Sequence, residues 1–298
     1  MSKNNVCLLG VTTLINLLGI MPVWATEGGG STYAHGTENA FVGFMPSPGF
    51  YGLVYASHDH LSKLRDDKGD EIELPFDVKA NVIAPRAVWV TDTKLLNGQL
   101  AWHAVLPLVS LDSHIAGYSE KHQGLGDLVI GSGLGYHPSE KVHYAFGLDI
   151  TAPTGTYKQD NLVNLGRNYW NIQPAFALSY IQASGLNADL KLMYGINFKN
   201  SDTNYRSGQE LHMDYALGYA LNNGWTAGIG GYLYQQTTDD KQDSTVRSNS
   251  KGRAFAVGPS ISYHNNSGFL VSVKWQQDYG VRNRAEGNAV KIKLAIPF

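Results

Sequence analysis

The chain has 298 residues, 43% of them hydrophobic and 16% charged, with a formal net charge of -2, 33 glycines and one cysteine. A near-neutral balance without a Lys/Arg-rich run argues against a protein that tracks phosphates, so no nucleic acid is expected as a partner. Charge well below the usual quarter, with glycine in excess, points to an all-β chain with few charges outside.

Residues 1–25 read as a signal peptide: Lys3 gives a weakly basic start, residues 6–20 are mostly apolar, and Val23-Trp24-Ala25 ends in a small residue. Cleavage is expected after Ala25. A retained helical anchor is the weaker reading, because Asn16 and Pro22 interrupt the run. Cys7 lies in the removed part, so the mature chain must be stabilised by sheet and burial instead of disulfides. Residues 26–47 open with TEGGGST and carry an apolar patch near Phe41–Met45. They are expected to form a flexible segment and a candidate partial plug.

From Pro48 to the end the chain divides into alternating stretches of about ten to fifteen residues, the length of a tilted membrane strand. They lie near 50–61, 75–92, 99–112, 124–137, 141–154, 168–183, 187–200, 208–222, 224–238, 252–265, 268–281 and 286–298. Every second connection is a tight turn rich in Asn, Gly, Ser or Pro, as at His137-Pro138-Ser139-Glu140 and Asn222-Asn223-Gly224. The others are longer and polar, as at 61–74 and 236–252. This rhythm predicts an all-β, transmembrane antiparallel barrel of about twelve strands, over residues 48–298, with short periplasmic turns and longer extracellular loops. The stretch 91–98 is expected to be a long exception among the turns.

Face patterns agree. In 208–222, Leu211, Met213, Tyr215, Leu217 and Tyr219 share one side, and Glu210, His212 and Asp214 the other. Lipid outside and a polar lumen inside explain the pattern, and Trp170, Trp225 and Trp275 are expected near the membrane interfaces. The inward positions then include Asp127, Asp149, Asp189, Lys191, Glu210, His212, Asp214, Lys274, Asp278, Lys291 and Lys293. A Lys or Arg on the lipid face would cost about 2–4 kcal/mol at mid-membrane, which fixes the orientation. Two readings of this lining stay open: a hydrogen-bonded network that holds a narrow lumen shut, or a solute pathway. Arg86 breaks the pattern of its strand, which suggests a bulge.

Enzyme chemistry finds little support. No G-x-S-x-G elbow occurs, and Glu210-x-His212-x-Asp214 offers at most a dyad on one face. His58-x-His60 lacks a nearby third ligand, so no metal and no cofactor is expected. Gly124-Leu125-Gly126-Asp127 is not followed by a helix, which defeats a dinucleotide reading.

Several motifs in order carry a resemblance: Gly124-Leu125-Gly126-Asp127-Leu128, Ala152-Pro153-Thr154-Gly155, Asn168-Tyr169-Trp170 with Pro174, 205–212 (YRSGQELH) and the terminal Phe298. Together they resemble the outer-membrane proteins named for the meta-pathway of phenol degradation, including the sphingosine-responsive branch. The resemblance runs from about Pro48 to Phe298. It implies a bacterial outer-membrane barrel that helps aromatic or other hydrophobic compounds cross, and it transfers no catalytic residue. The expected function is therefore a channel for small hydrophobic or aromatic solutes. Asp127, Glu210, His212, Asp214 and Lys274 are the candidate pathway residues. A structural or adhesive barrel working through its loops, or a lipid-modifying enzyme, remains the alternative. Expected partners are the outer-membrane lipid and the barrel-assembly machinery, for which the closing stretch GNAVKIKLAIPF and Phe298 resemble the signal.

Overall fold

In a computed structural model, which describes residues 25–297, antiparallel strands close on themselves. The strands are β1 (Gly49–Leu64), β2 (Phe76–Leu95), β3 (Gly98–Val105), β4 (Leu108–Ile115), β5 (Tyr118–Leu125) and β6 (Leu128–Tyr136). Then follow β7 (Val142–Ala152), β8 (Asn171–Tyr180), β9 (Ser184–Asn197), β10 (Tyr205–Arg206), β11 (Glu210–Leu221) and β12 (Trp225–Gln236). The last are β13 (Asp240–Gln242), β14 (Thr245–Arg247), β15 (Arg253–His264), β16 (Leu270–Arg282) and β17 (Ala285–Pro297). β10, β13 and β14 form a small three-stranded sheet in the extracellular loops.

Twelve strand positions make the barrel. β3 continues into β4 across Leu106-Pro107, and β5 into β6 across Gly126-Asp127, so each pair fills one position. β1 pairs with both β17 and β2, from Tyr51↔Pro297 on one side and Phe50↔Trp89 on the other. Closure leaves no open edge, the condition for backbone N–H and C=O groups to sit in hydrocarbon. The stretch 287–298 is thus the seam with the first strand as far as Pro297; Phe298 and residues 1–24, with most of the expected signal peptide, lie outside the described residues.

The turns show the physical detail. β2 runs further than its sequence suggests, to Leu95, and the expected long turn at 91–98 shrinks to Leu96-Asn97. Both turn residues have positive φ, 51° and 64°, the geometry that matches the twist of a two-residue hairpin. On the extracellular side β16 and β17 are joined by only Asn283-Arg284, whereas the other loops there are longer or, at 116–117, tip an extended hairpin.

Large apolar side chains face outward. Phe50 stacks on Trp89, ring centroids 5.8 Å apart, and Trp89 opposes Trp102 on β3. Tyr136 stacks on Tyr144 and Trp225 meets Tyr263, which extends an aromatic girdle along the periplasmic end. Trp170 stands exposed beside the extracellular end of β8, while exposed Trp275 is well inside β16, away from its ends.

The strand at 75–92 behaves differently from the rest. Val78, Ala80, Val82, Ala84, Arg86, Val88 and Val90 all point inward, and Ile83 and Trp89 outward. Arg86 is therefore in register, facing Leu53 on β1 and Val105 on β3, and the expected bulge is absent there. The irregularity lies between Val90 and Lys94. A greasy inner face on this strand is what made one inward arginine look misplaced.

Candidate functional site

Residues 26–47 lie inside the barrel and run from the extracellular loops to the periplasmic turns. At the upper end Glu27 accepts from Thr203 Oγ1 at 2.6 Å and Asn200 Nδ2 at 3.0 Å. At the lower end the Gly43 N–H donates to Ser179 Oγ at 2.9 Å, and Phe44 packs on His143. Between these points the segment is fastened to the inner faces of β9, β11, β16 and β17.

The fastening uses the inward residues of β11. Glu210 accepts from Ser31 Oγ at 2.7 Å and from Tyr234 OH at 2.9 Å. His212 Nδ1 meets His35 Nε2 at 2.9 Å. Asp214 accepts three bonds, from Tyr33 OH (2.6 Å), the Gly36 N–H (2.8 Å) and the Glu38 N–H (2.9 Å). Gly36 has φ 70°, and a Cβ there would fall 2.2 Å from Gln276 Oε1, so only glycine lets the chain turn its N–H toward Asp214. Lys274 Nζ donates to the Glu38 carbonyl at 3.0 Å. Burial, with His212 beside it, holds His35 well below the usual imidazole range, so it is neutral at physiological pH.

Glu38 is the centre of the charged part. Its carboxylate accepts from Lys293 Nζ at 2.7 Å and Tyr55 OH at 3.0 Å, with Arg86 at 3.5 Å and Lys191 at 3.8 Å. Burial alone would raise this carboxyl, but Lys293, Lys191 and Arg86 overcome it and hold Glu38 far below the usual carboxylate range. Nearby, His103 Nε2 and Asp149 Oδ1 are 2.9 Å apart.

Two cavities remain between the N-terminal segment and the opposite wall. The outer one, about 370 Å³, is lined by Ala80, Val82, Ala84, Val105, Val109 and Leu111, among others. The inner one, about 470 Å³, is lined by Phe41, Phe44, Leu53, Val88, Val90 and Phe269, among others. Glu38, Arg86, His103, Asp149 and Lys191 line both, so these five residues form a polar collar where the cavities adjoin.

The residues singled out in the sequence divide accordingly. Glu210, His212, Asp214 and Lys274 are brought together, each at most 2% exposed, but as anchors of the N-terminal segment outside both cavities. Asp127 stands apart from these four and lines the outer cavity. Its carboxylate accepts from the Gly155 N–H at 2.8 Å and the Arg167 N–H at 2.6 Å, clamping the 153–170 loop over the end of β6. That contact joins the Gly124–Leu128 and Ala152–Gly155 motifs in space, with Gly155 packed against Gly126. Phe298 lies outside the described residues. His58 and His60 face outward, toward Asn81 Oδ1 (2.8 Å) and Asp77 Oδ2 (2.6 Å), and no group of metal-ligating side chains occurs among the described residues. Sequence reasoning missed Glu38 and the place of Arg86 between the two cavities, although Arg86, a lone cation on an alternately apolar strand, was a signal.

A family model described as "Putative MetA-pathway of phenol degradation" matches residues 62–294. The chain belongs to that family. The COG4313 outer membrane channel from Pseudomonas putida F1 is similar in structure, with a TM-score of 0.77 at 19% identity, covering 88% of this chain and 99% of that one. The KdgM porin gives a TM-score of 0.41 at 10% identity, covering 83% and 99%, and a Pseudomonas aeruginosa FadL homologue 0.40 at 9%, covering 90% and 99%. Comparison with curated proteins gives no match. The fold is that of an outer-membrane channel.

Proposed function

We propose that the protein is a channel that lets small hydrophobic compounds, aromatic ones included, cross the outer membrane. The observation that carries this reading is the inverted wall: apart from Arg86 and His103, the residues of β2, β3 and β4 that border the two cavities are apolar. Burying a solute's apolar surface there is favourable by roughly 25 cal/mol per Å², while a sugar-like solute would find few hydrogen-bonding partners along that wall. Residues 26–47 act as the plug, held by charge and hydrogen bonds on one wall and leaving the other free for the solute. The family description, with its reference to phenol degradation, supports an aromatic substrate class.

The test is uptake of a radiolabelled aromatic hydrocarbon at low concentration by a Gram-negative host with and without the barrel. Faster entry with the intact barrel, lost when Val82→Asp puts a carboxylate on the apolar wall, is the expected result. Equal uptake across a broad panel of hydrophobic compounds would sink the proposal.

A further inference from the structure

The collar between the cavities holds more positive than negative charge around one point. Arg86, Lys191 and Lys293 surround the single carboxylate of Glu38, at 3.5, 3.8 and 2.7 Å. The nearby acid Asp149 is engaged by His103. Arg86 Nε and His103 Nδ1 are buried without a hydrogen-bond partner, although both side chains border the cavities. A guanidinium that borders both cavities, donates through Nη1 to Tyr55 and Glu38 and keeps its Nε without a partner is suited to a planar carboxylate.

The carboxylate that fills the collar comes from the N-terminal segment, not from a barrel strand. Lys293 is separated from Glu38 by 255 positions in the chain, so the contact is made only when the segment is seated. The segment's other fastenings, at Asp214 and Glu210, are separate from this carboxylate. On both sides of the collar the exposed lining is apolar: Ala84 and Val105 outward, Val88 and Leu53 toward the periplasm.

We infer that Glu38 occupies a recognition site for the carboxylate of an amphipathic solute, and that the channel's substrates include small aromatic or aliphatic monocarboxylic acids. The solute's acid group takes the place of the Glu38 carboxylate at Arg86 and Lys191, and its apolar body lies on the valine and alanine wall. Exchange of one carboxylate for another keeps the charge of the collar constant. Displacement of Glu38 by a neutral solute would leave Arg86, Lys191 and Lys293 with Asp149 as the one nearby counter-charge, which is costly. This inference rests on the hydrophobic pathway proposed above and narrows its substrate class.

Titration calorimetry of the full-length barrel in detergent, with 3-phenylpropanoate and its neutral amide as probes, tests it. Glu38→Gln should tighten binding of the acid at least tenfold and change the amide less than twofold. Arg86→Gln should weaken the acid at least tenfold and again spare the amide. Heat-modifiable migration in gels reports folding, and Lys191→Gln provides the same readout if Arg86→Gln does not fold. Identical binding of acid and amide in all variants would overturn the inference. Vesicle flux separates the two proposals. Flux of a neutral aromatic without any acid preference removes the recognition site and leaves the channel; an acid preference without flux of either probe removes the channel reading and leaves the site.

Discussion

The two walls of the lumen obey opposite rules. Along β9, β11, β16 and β17 the inward residues include Asp189, Lys191, Glu210, His212, Asp214, Lys274 and Lys293, which hold one another or residues 26–47. From β2 to β4 they are mostly apolar, Arg86 and His103 excepted, and they border the cavities. The polar wall needs a partner, because each buried charge left unpaired costs several kcal/mol, and the N-terminal segment is that partner. The apolar wall needs none. One wall binds residues 26–47 and the other faces the cavities, so the segment's position follows from the lining.

The strongest way to break this division is to remove what the polar wall holds. Asp214→Leu deletes one carboxylate and strands the Gly36 and Glu38 N–H groups in a buried site. At about 1–3 kcal/mol for each unsatisfied donor, the segment should lose several kcal/mol of attachment. Single-channel recording should then show larger and noisier conductance than the parent, while heat-modifiable migration shows that the barrel still assembles. An unchanged trace would mean that residues 26–47 do not depend on β11 for their seat.

The opposite wall predicts a smaller and different loss. Val109→Asp puts a carboxylate into the outer cavity, where water can reach it, so stability should change little. Hydrophobic uptake should fall about tenfold, the equivalent of roughly 1.4 kcal/mol of lost apolar contact. A variant that lost stability but kept uptake would place the pathway elsewhere.

How far the sequence foretold this division depends on which wall is considered. Period-two alternation and the Asn/Gly turns were enough to place all twelve strand positions, because lipid and turn geometry act on neighbouring residues. The inward charges of β11 were legible for the same reason: Glu210, His212 and Asp214 alternate against a consistently apolar outer face. Around Arg86 that rule inverted. Alternation says which residues share a face and does not say which face meets lipid, and a strand with a greasy lumen side gives the same pattern. The link between Glu38 and Lys293 spans nearly the whole chain, so it had no local signature. Asp127 was selected as a lumen charge and does line the outer cavity, but its loop contacts had no local signature: its carboxylate accepts from Gly155 and Arg167 across the 153–170 loop.

The smallest effect is expected from charges on the outer surface. His60 and Asp77 approach to 2.6 Å, as close as Tyr33 and Asp214 in the lumen, but their side chains are 35% and 38% exposed. Solvent screens such a pair, and exposed pairs contribute roughly 0–1 kcal/mol. His60→Gln should therefore shift the unfolding midpoint in denaturant only slightly and leave uptake of hydrophobic compounds unchanged. The pair lies on the outer face of β1 and β2, and the same strands turn Ala80 and Val82 toward the outer cavity. If His60→Gln slowed uptake as much as Val109→Asp, the solute route would have to run along the outside of this wall, and the apolar inner face would lose its assigned role.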